Sequence, residues 1–224
     1  MIRPRGGRVA SCGSRVFRSG FKRWIVFAAA LVAPATVLHA ARPTAPDVAG
    51  AASFAGQLLI ASPDLRQPEF DHTVILLVQH SREGALGIVI NRPRKTLPVA
   101  DLLKAFGDDA EGVHGEVMVF LGGPVDPGVA FVLHSAEYRR PDTIAIDGRV
   151  ALTIGPDVLH DIGLGKGPDK SLVAFGYAGW APAQLDTELA HGVWMTMPED
   201  PALVFDANRA KLWDDALARQ KSGR

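Results

Sequence analysis

Two apolar runs lie close together near the start of the patterned sequence. TVILLVQH (73–80) is β-branched and almost continuously apolar, and LGIVIN (86–91) follows after SREGA. Runs this short and this apolar read as buried strands, so the pair is a hairpin with a loop longer than two residues, stopped by Asn91-Arg92-Pro93. The motif recurs. EVMVFLGG (116–123) and VAFVLHS (129–135) are joined by the turn-rich PVDPG, and TIAI (143–146) and VALTI (150–154) flank Asp147-Gly148-Arg149. GQLLIAS (56–62), SLVAFGYA (171–178) and VWMTMP add three more strands. Strands that outnumber helices and are mostly joined by hairpins predict an α+β fold with a largely antiparallel sheet, not a doubly wound parallel one.

Helical periodicity is confined to short stretches. In TLPVADLLKAFG, Val99, Leu102, Leu103 and Phe106 form one stripe, with Thr96 as cap, Pro98 in the first turn and Gly107 at the end. PDVLHDIG (156–163), residues 182–191 and RAKLWDDALAR (209–219) complete the set.

The chain has 224 residues, 47% of them hydrophobic, which suits one domain plus a tail. Its formal net charge is zero, but the charges are segregated. Residues 1–42 hold eight Arg or Lys and no acid, whereas from residue 43 onward sixteen basic residues face twenty-four acidic ones. A body carrying about −8 repels phosphate backbones, so direct nucleic-acid binding is not expected of it. Cys12, in the tail, is the only cysteine. Thiol nucleophiles, disulfides and thiolate metal sites are therefore excluded from the body.

KRWIVFAAALVAPATVLHAARP has the parts of an export signal. Basic residues end at Arg23, an apolar run covers Trp24 to Leu38, and small residues follow, with Leu38-His39-Ala40 or Ala33-Pro34-Ala35 as cleavage sites. The run is shorter than the roughly 20 residues of a spanning helix, and Pro34 interrupts it. The organisation read here is an export signal at 1–41, a linker at 42–55 and a domain at 56–221. The location is periplasmic or exported, and membrane contact is confined to the N-terminal segment if it stays uncleaved. A misread start would instead leave a cytoplasmic protein.

Several patterns bear on chemistry. His80-Ser81 and His134-Ser135 each end a strand, which raises a Ser/His hydrolase as one alternative. Neighbouring strand residues point to opposite faces and no G-x-S-x-G elbow exists, so the serines read as turn starters and the histidines as strand-end hydrogen-bonding groups. His72 and His80 share a strand face but stand about 26 Å apart at strand rise, which gives no metal site. GLGKGPDK (163–170) follows a helix and lacks Ser or Thr after Lys166, so it reads as a turn, not a phosphate loop. The glycines of LGGPV (121–125) permit close backbone approach.

AFGYAGWAPAQLDTELAHGVW (174–194) concentrates four aromatic residues and three glycines. Pro182 near the first turn of a helix, Leu185 and Leu189 toward the core, and Gln184 and Glu188 on a neighbouring stripe make a corner. Tyr177, Gly179, Trp180, Gln184 and Glu188 are its candidate binding groove, with His80, Ser81, Asn91, Arg92, His134 and Ser135 as polar strand-end residues. Glu188 has no partner carboxylate placed by spacing, and an ion pair to an arginine such as Arg92 is its structural role.

The segments GQLLIASP, VILLVQHSREGALGIVINRP, FLGGPV, VAFVLHS, GKGPDKSLVAFGYAGWAPAQLDTEL and PALVFD together resemble the YqgE/AlgH family across residues 56–219. The resemblance implies an α+β fold whose bifurcated sheet curls into a pseudo-barrel with a few short helices, no established enzymatic activity and no cofactor. Some members carry the label of transcriptional regulator, and a cytosolic regulator is a second alternative. The expectation adopted is a non-catalytic binding or regulatory module, exported, with a protein or small-molecule ligand.

Overall fold

The computed structural model describes residues 53–223. The expected export signal at 1–41 and residues 42–52 of the expected linker lie outside them. The chain divides into two units, Met1–Val48 and Ala49–Arg224, and everything below concerns the second.

Ten strands form one sheet: β1 (Gln57–Ala61), β2 (Val74–Ser81), β3 (Gly84–Val89), β4 (Pro93–Pro98), β5 (Glu116–Leu121), β6 (Val125–Ser135), β7 (Ile144–Ala145), β8 (Val150–Ile154), β9 (Ser171–Trp180) and β10 (Trp194–Pro198). The helices are α1 (Val99–Phe106), α2 (Asp157–Gly163), α3 (Gln184–Ala190) and α4 (Leu212–Ser222), with a π-helical turn at Ala202–Asp206. The main order is β10-β1-β2-β3-β9-β6-β8-β7, and β4 and β5 branch from β9. All pairs are antiparallel except β5 with β9. The sheet curls into a half-barrel whose ends, β10 and β7, do not pair.

Strand β9 organises the branching. Its first half lies between β5 and β6, and its second half pairs with β3. Leu172 and Ala174 face the inner core, while Val173 and Phe175 face outward. Gly176, at φ +75°, breaks this alternation. Beyond it Tyr177 turns inward, and Ala178 and Trp180 enter a second outer cluster. Only glycine adopts this φ without strain, so the switch of faces is written at one residue.

The inner face buries Leu58, Ile60, Leu76, Ile88, Leu133 and Leu152, and is covered by Leu203 and Val204 of the π turn and Leu212, Ala216 and Leu217 of α4. Outside, α1 and α2 cover Val119, Val132 and Val173, while α3 brings Leu185 onto Leu59, Ile75, Leu77 and Trp180.

Four local expectations are corrected. The first hairpin has a two-residue loop, Arg82-Glu83, because Ser81 pairs directly with Gly84. Gly84 (φ +130°) admits this, and a Cβ there would stand 2.4 Å from the Trp180 carbonyl oxygen. Thr96 does not cap α1. Residues 93–98 pair with β5, Thr96 opposite Met118, and Pro98 precedes the helix without a side-chain cap. Sheet pairing there outweighs the weak capping preference. The PVDPG segment is largely strand: Val125 pairs with Tyr177, so β5 and β6 flank β9 instead of forming a hairpin. Finally, α3 begins at Gln184, two residues beyond Pro182, because Ala183 sits at φ 59°. The stripe of α1 and its stop at Gly107 (φ +80°) are as expected.

Candidate functional site

At the aromatic corner, strand β9 runs into α3 and delivers Trp180, 7% exposed, beside Trp194 of β10 at 3%. Their rings meet edge-on at 6.0 Å. Both indole N–H groups donate to one oxygen of Glu188, at 2.9 Å from Trp180 and 2.7 Å from Trp194. Gln184 Nε2 donates to the other oxygen at 2.8 Å, and its own Oε1 accepts from the Ala181 amide at 3.0 Å. Glu188 is therefore an internal acceptor for three donors. The expected pairing with Arg92 does not occur, because burying two indoles supplies donors that an exposed arginine need not. Tyr177 and Gly179 are not part of this cluster. Tyr177 packs on Phe131 in the inner core at 5.6 Å, and a Cβ on Gly179 would lie 3.2 Å from the Tyr177 ring. The structure brings together Trp180, Gln184 and Glu188, and Gly176 turns the other two away.

The strand-end histidines and serines have separate partners. His80 Nδ1 accepts from the Phe54 amide at 3.3 Å, which leaves Nε2–H facing Asp186 of α3 at 3.5 Å. Ser81 Oγ accepts from the Glu83 amide at 3.1 Å, the turn-starting role expected of it. His134 is fully buried. Its Nδ1 donates to the Ser135 carbonyl at 2.9 Å, and its Nε2 accepts from Thr153 Oγ1 at 2.9 Å. Thr143 Oγ1 lies 2.8 Å from Thr153 Oγ1 and accepts from the Arg140 amide. Burial holds His134 below the usual imidazole range, so it stays neutral within this chain. Ser135 Oγ donates to Glu137 at 2.8 Å and accepts from the Lys170 amide at 3.0 Å. Among the described residues neither serine hydroxyl meets an imidazole, so the geometry of a Ser/His hydrolase is absent at these positions.

Asn91 and Arg92 act elsewhere. Asn91 Oδ1 accepts from the Val74 amide at 2.9 Å, and its Nδ2 donates to the His72 carbonyl at 2.8 Å. Arg92 Nη2 donates to the carbonyls of Pro68 and Asp71 at 3.1 and 3.0 Å. These two residues fasten the β1–β2 connection. The clamped end holds His72 at φ 53°, a left-handed conformation uncommon outside glycine. The His72 Nδ1–H donates to Asp71 Oδ1 at 2.6 Å, and the ring meets Trp213 of α4 edge-on at 4.0 Å. The connection borders a cleft of about 400 Å³ lined by Pro63, Leu65, Arg66, Pro68, Asp71 and His72. Among the described residues no cluster of three or more His, Cys, Asp or Glu side chains could hold a metal ion.

Sequence reading passed over this cleft because DLRQPEFDH looks like an ordinary polar connection. The usable signal was the Asp-His dipeptide at its end, together with a downstream Asn-Arg-Pro too polar for a simple strand stop.

The AlgH-like family (DUF179) matches residues 58–223. A UPF0301 protein of Methylococcus capsulatus is 42% identical over 168 residues, covering 75% of this chain and 92% of the relative. A UPF0301 protein of Jannaschia sp. is 42% identical over 164 residues, covering 72% and 85%. The solution structure of AlgH from Pseudomonas aeruginosa superposes with a TM-score of 0.64 at 35% identity, covering 81% of this chain and 92% of that one. A Corynebacterium diphtheriae crystal structure shares the fold, with a TM-score of 0.58 at 21% identity over 73% and 85%. By sequence and by fold, the chain belongs to the AlgH-like family.

Proposed function

We propose that this chain is an exported binding module that takes its ligand in the cleft beside residues 63–72 and makes or breaks no covalent bond. The observation that carries the reading is the strained His72, held by Asn91 and Arg92 against a cleft of ligand-site volume. Strained backbone that neighbouring side chains over-determine is concentrated at ligand clamps. Pro63, Leu65 and Pro68 give the cleft apolar walls, Arg66 gives it a guanidinium, and Asp71 orients the imidazole. That set suits a small ligand with an acidic group on an apolar frame.

Titrating labelled protein with an aryl carboxylate and with an acetylated dipeptide, and following amide shifts, tests the reading. Shifts are expected at Leu65, Arg66 and His72 and at the Trp213 indole, with affinity about tenfold weaker in Arg66→Ala, the worth of one charge-assisted hydrogen bond. Shifts confined to the Trp180–Glu188 corner, or equal affinity in the variant, would overturn it.

Export is supported by the cationic lead and the apolar run from Trp24 to Leu38. N-terminal sequencing of protein from fractionated cells should find a mature residue close to Ala35 or Ala40 in the extracytoplasmic fraction. An intact Met1 in the cytosol would refute it.

A further inference from the structure

The two unpaired ends of the half-barrel meet at a polar contact. The turn between β7 and β8 carries Asp147 and Arg149, and Glu199 follows β10 directly. A Cβ on Gly56, at the start of β1, would lie 3.3 Å from Asp147 Cβ, and the Glu199 amide donates to the Gly56 carbonyl at 3.2 Å. No strand ladder closes this seam.

The side chains close it instead. Glu199 is 1% exposed at its side chain, and its Oε1 lies 2.6 Å from Arg149 Nη2. The same guanidinium donates to the Glu199 carbonyl at 3.0 Å. Asp147 Oδ1 accepts the amides of Arg149 and Val150 at 2.9 and 3.0 Å, an arrangement that favours its ionised form. The buried Glu199 oxygens meet no well-aligned donor, as a carboxylate would require, but a protonated Glu199 can donate to Asp147.

We propose that a proton shared between Glu199 and Asp147 latches the open seam of the half-barrel, and that its loss releases the segment from Glu199 to Ser222 from the inner face. A buried Glu199 carboxylate beside an ionised Asp147, with only the half-exposed Arg149 as counter-charge, cannot stay desolvated. The remaining charges at the seam do not relieve them: Asp200 adds a third carboxylate, engaged by Arg219 of α4 at 3.0 Å. The segment that begins at Glu199 supplies the inner-face cover of Leu203, Val204, Leu212, Ala216 and Leu217, so opening the seam is coupled to exposing that core.

Burial, then the hydrogen bond and charge of Asp147, push the Glu199 carboxyl up to about 8, with Arg149 pulling the other way. An acid held above its ordinary range in the closed form stabilises that form at low pH. The stabilisation is lost as pH rises from the ordinary value of about 4.5 to about 8, and is constant above.

The experiment has two arms. Hydrogen exchange of the full chain at Arg149, Val150, Glu199 and Leu203, corrected for the intrinsic rate, should show an opening equilibrium that rises up to about tenfold per pH unit between pH 5 and 8, then levels. In Glu199→Gln the same profile should be flat. In the unmodified protein the Glu199 side-chain carboxyl carbon should titrate near 8. Titration of that carbon in the ordinary carboxyl range, or matching exchange profiles in both proteins, would overturn the proposal. The carbon titration decides the matter even if the variant fails to fold.

Discussion

Glu188 shows how a charged residue can be structural when its neighbours are donors. Two buried indoles and one amide converge on it, so removing the carboxylate strands two N–H groups that water reaches poorly. Glu188→Ala should lower the unfolding free energy by about 2 kcal/mol, and Glu188→Gln, which keeps one acceptor oxygen, by about half as much. Urea denaturation measures both. A loss below about 0.5 kcal/mol for the alanine would show that the corner is held by packing alone. The residue types of this corner were legible in the sequence, and so was its role as a bend. The identity of the donors was not. Trp194 lies on a different strand, and only the pairing of β10 with β1 and the packing of α3 bring it to Glu188. Asn91 and Arg92 repeat the lesson. Their place at a strand end was readable, but the carbonyls they hold lie 19 to 24 residues upstream.

At the scale of elements, the connection from β5 to β6 has to pass over β9, and glycines make the passage possible. A Cβ on Gly122 would meet the Gly176 carbonyl oxygen at 2.2 Å, one on Gly123 would meet the Tyr177 carbonyl carbon at 2.1 Å, and one on Gly176 would meet the Gly123 oxygen at 2.4 Å. Backbone on backbone cannot yield as a flexible side chain can. Gly123→Ala should therefore abolish soluble folded protein or lower stability by more than about 3 kcal/mol. Gly128→Ala, where nothing lies within 4 Å, is the matched control and should melt like the parent. Equal melting temperatures by circular dichroism for the two variants would refute the crossing as the reason for these glycines. Close approach at LGGPV was readable from composition. That the partner is the protein's own strand was not, because a parallel neighbour such as β9 leaves no hairpin signature.

For the whole molecule, local pattern went a long way toward the class of fold. Apolar runs and turn residues fix most strands, and their hairpins fix an antiparallel sheet. The branching of the sheet entered through the family resemblance, since nothing in a two-residue alternation says that one strand will serve three neighbours. The cleft was hidden for a similar reason. Its walls come from residues 63–72, its clamps from Asn91 and Arg92, and the edge-on ring against His72 from Trp213, three regions that only the folded sheet assembles.

Strand β9 carries a kinetic consequence. It joins β3, β5 and β6, yet it is synthesised after all of them. Until residues 171–180 leave the ribosome, three earlier strands have no common neighbour, and the inner face waits longer still for its cover of Leu203 to Leu217. Contacts so distant along the chain assemble slowly, because loop-closure entropy is lost before they reward it. The earlier hairpins can pair among themselves as they emerge, but their union into one curled sheet has to wait for the last third of synthesis.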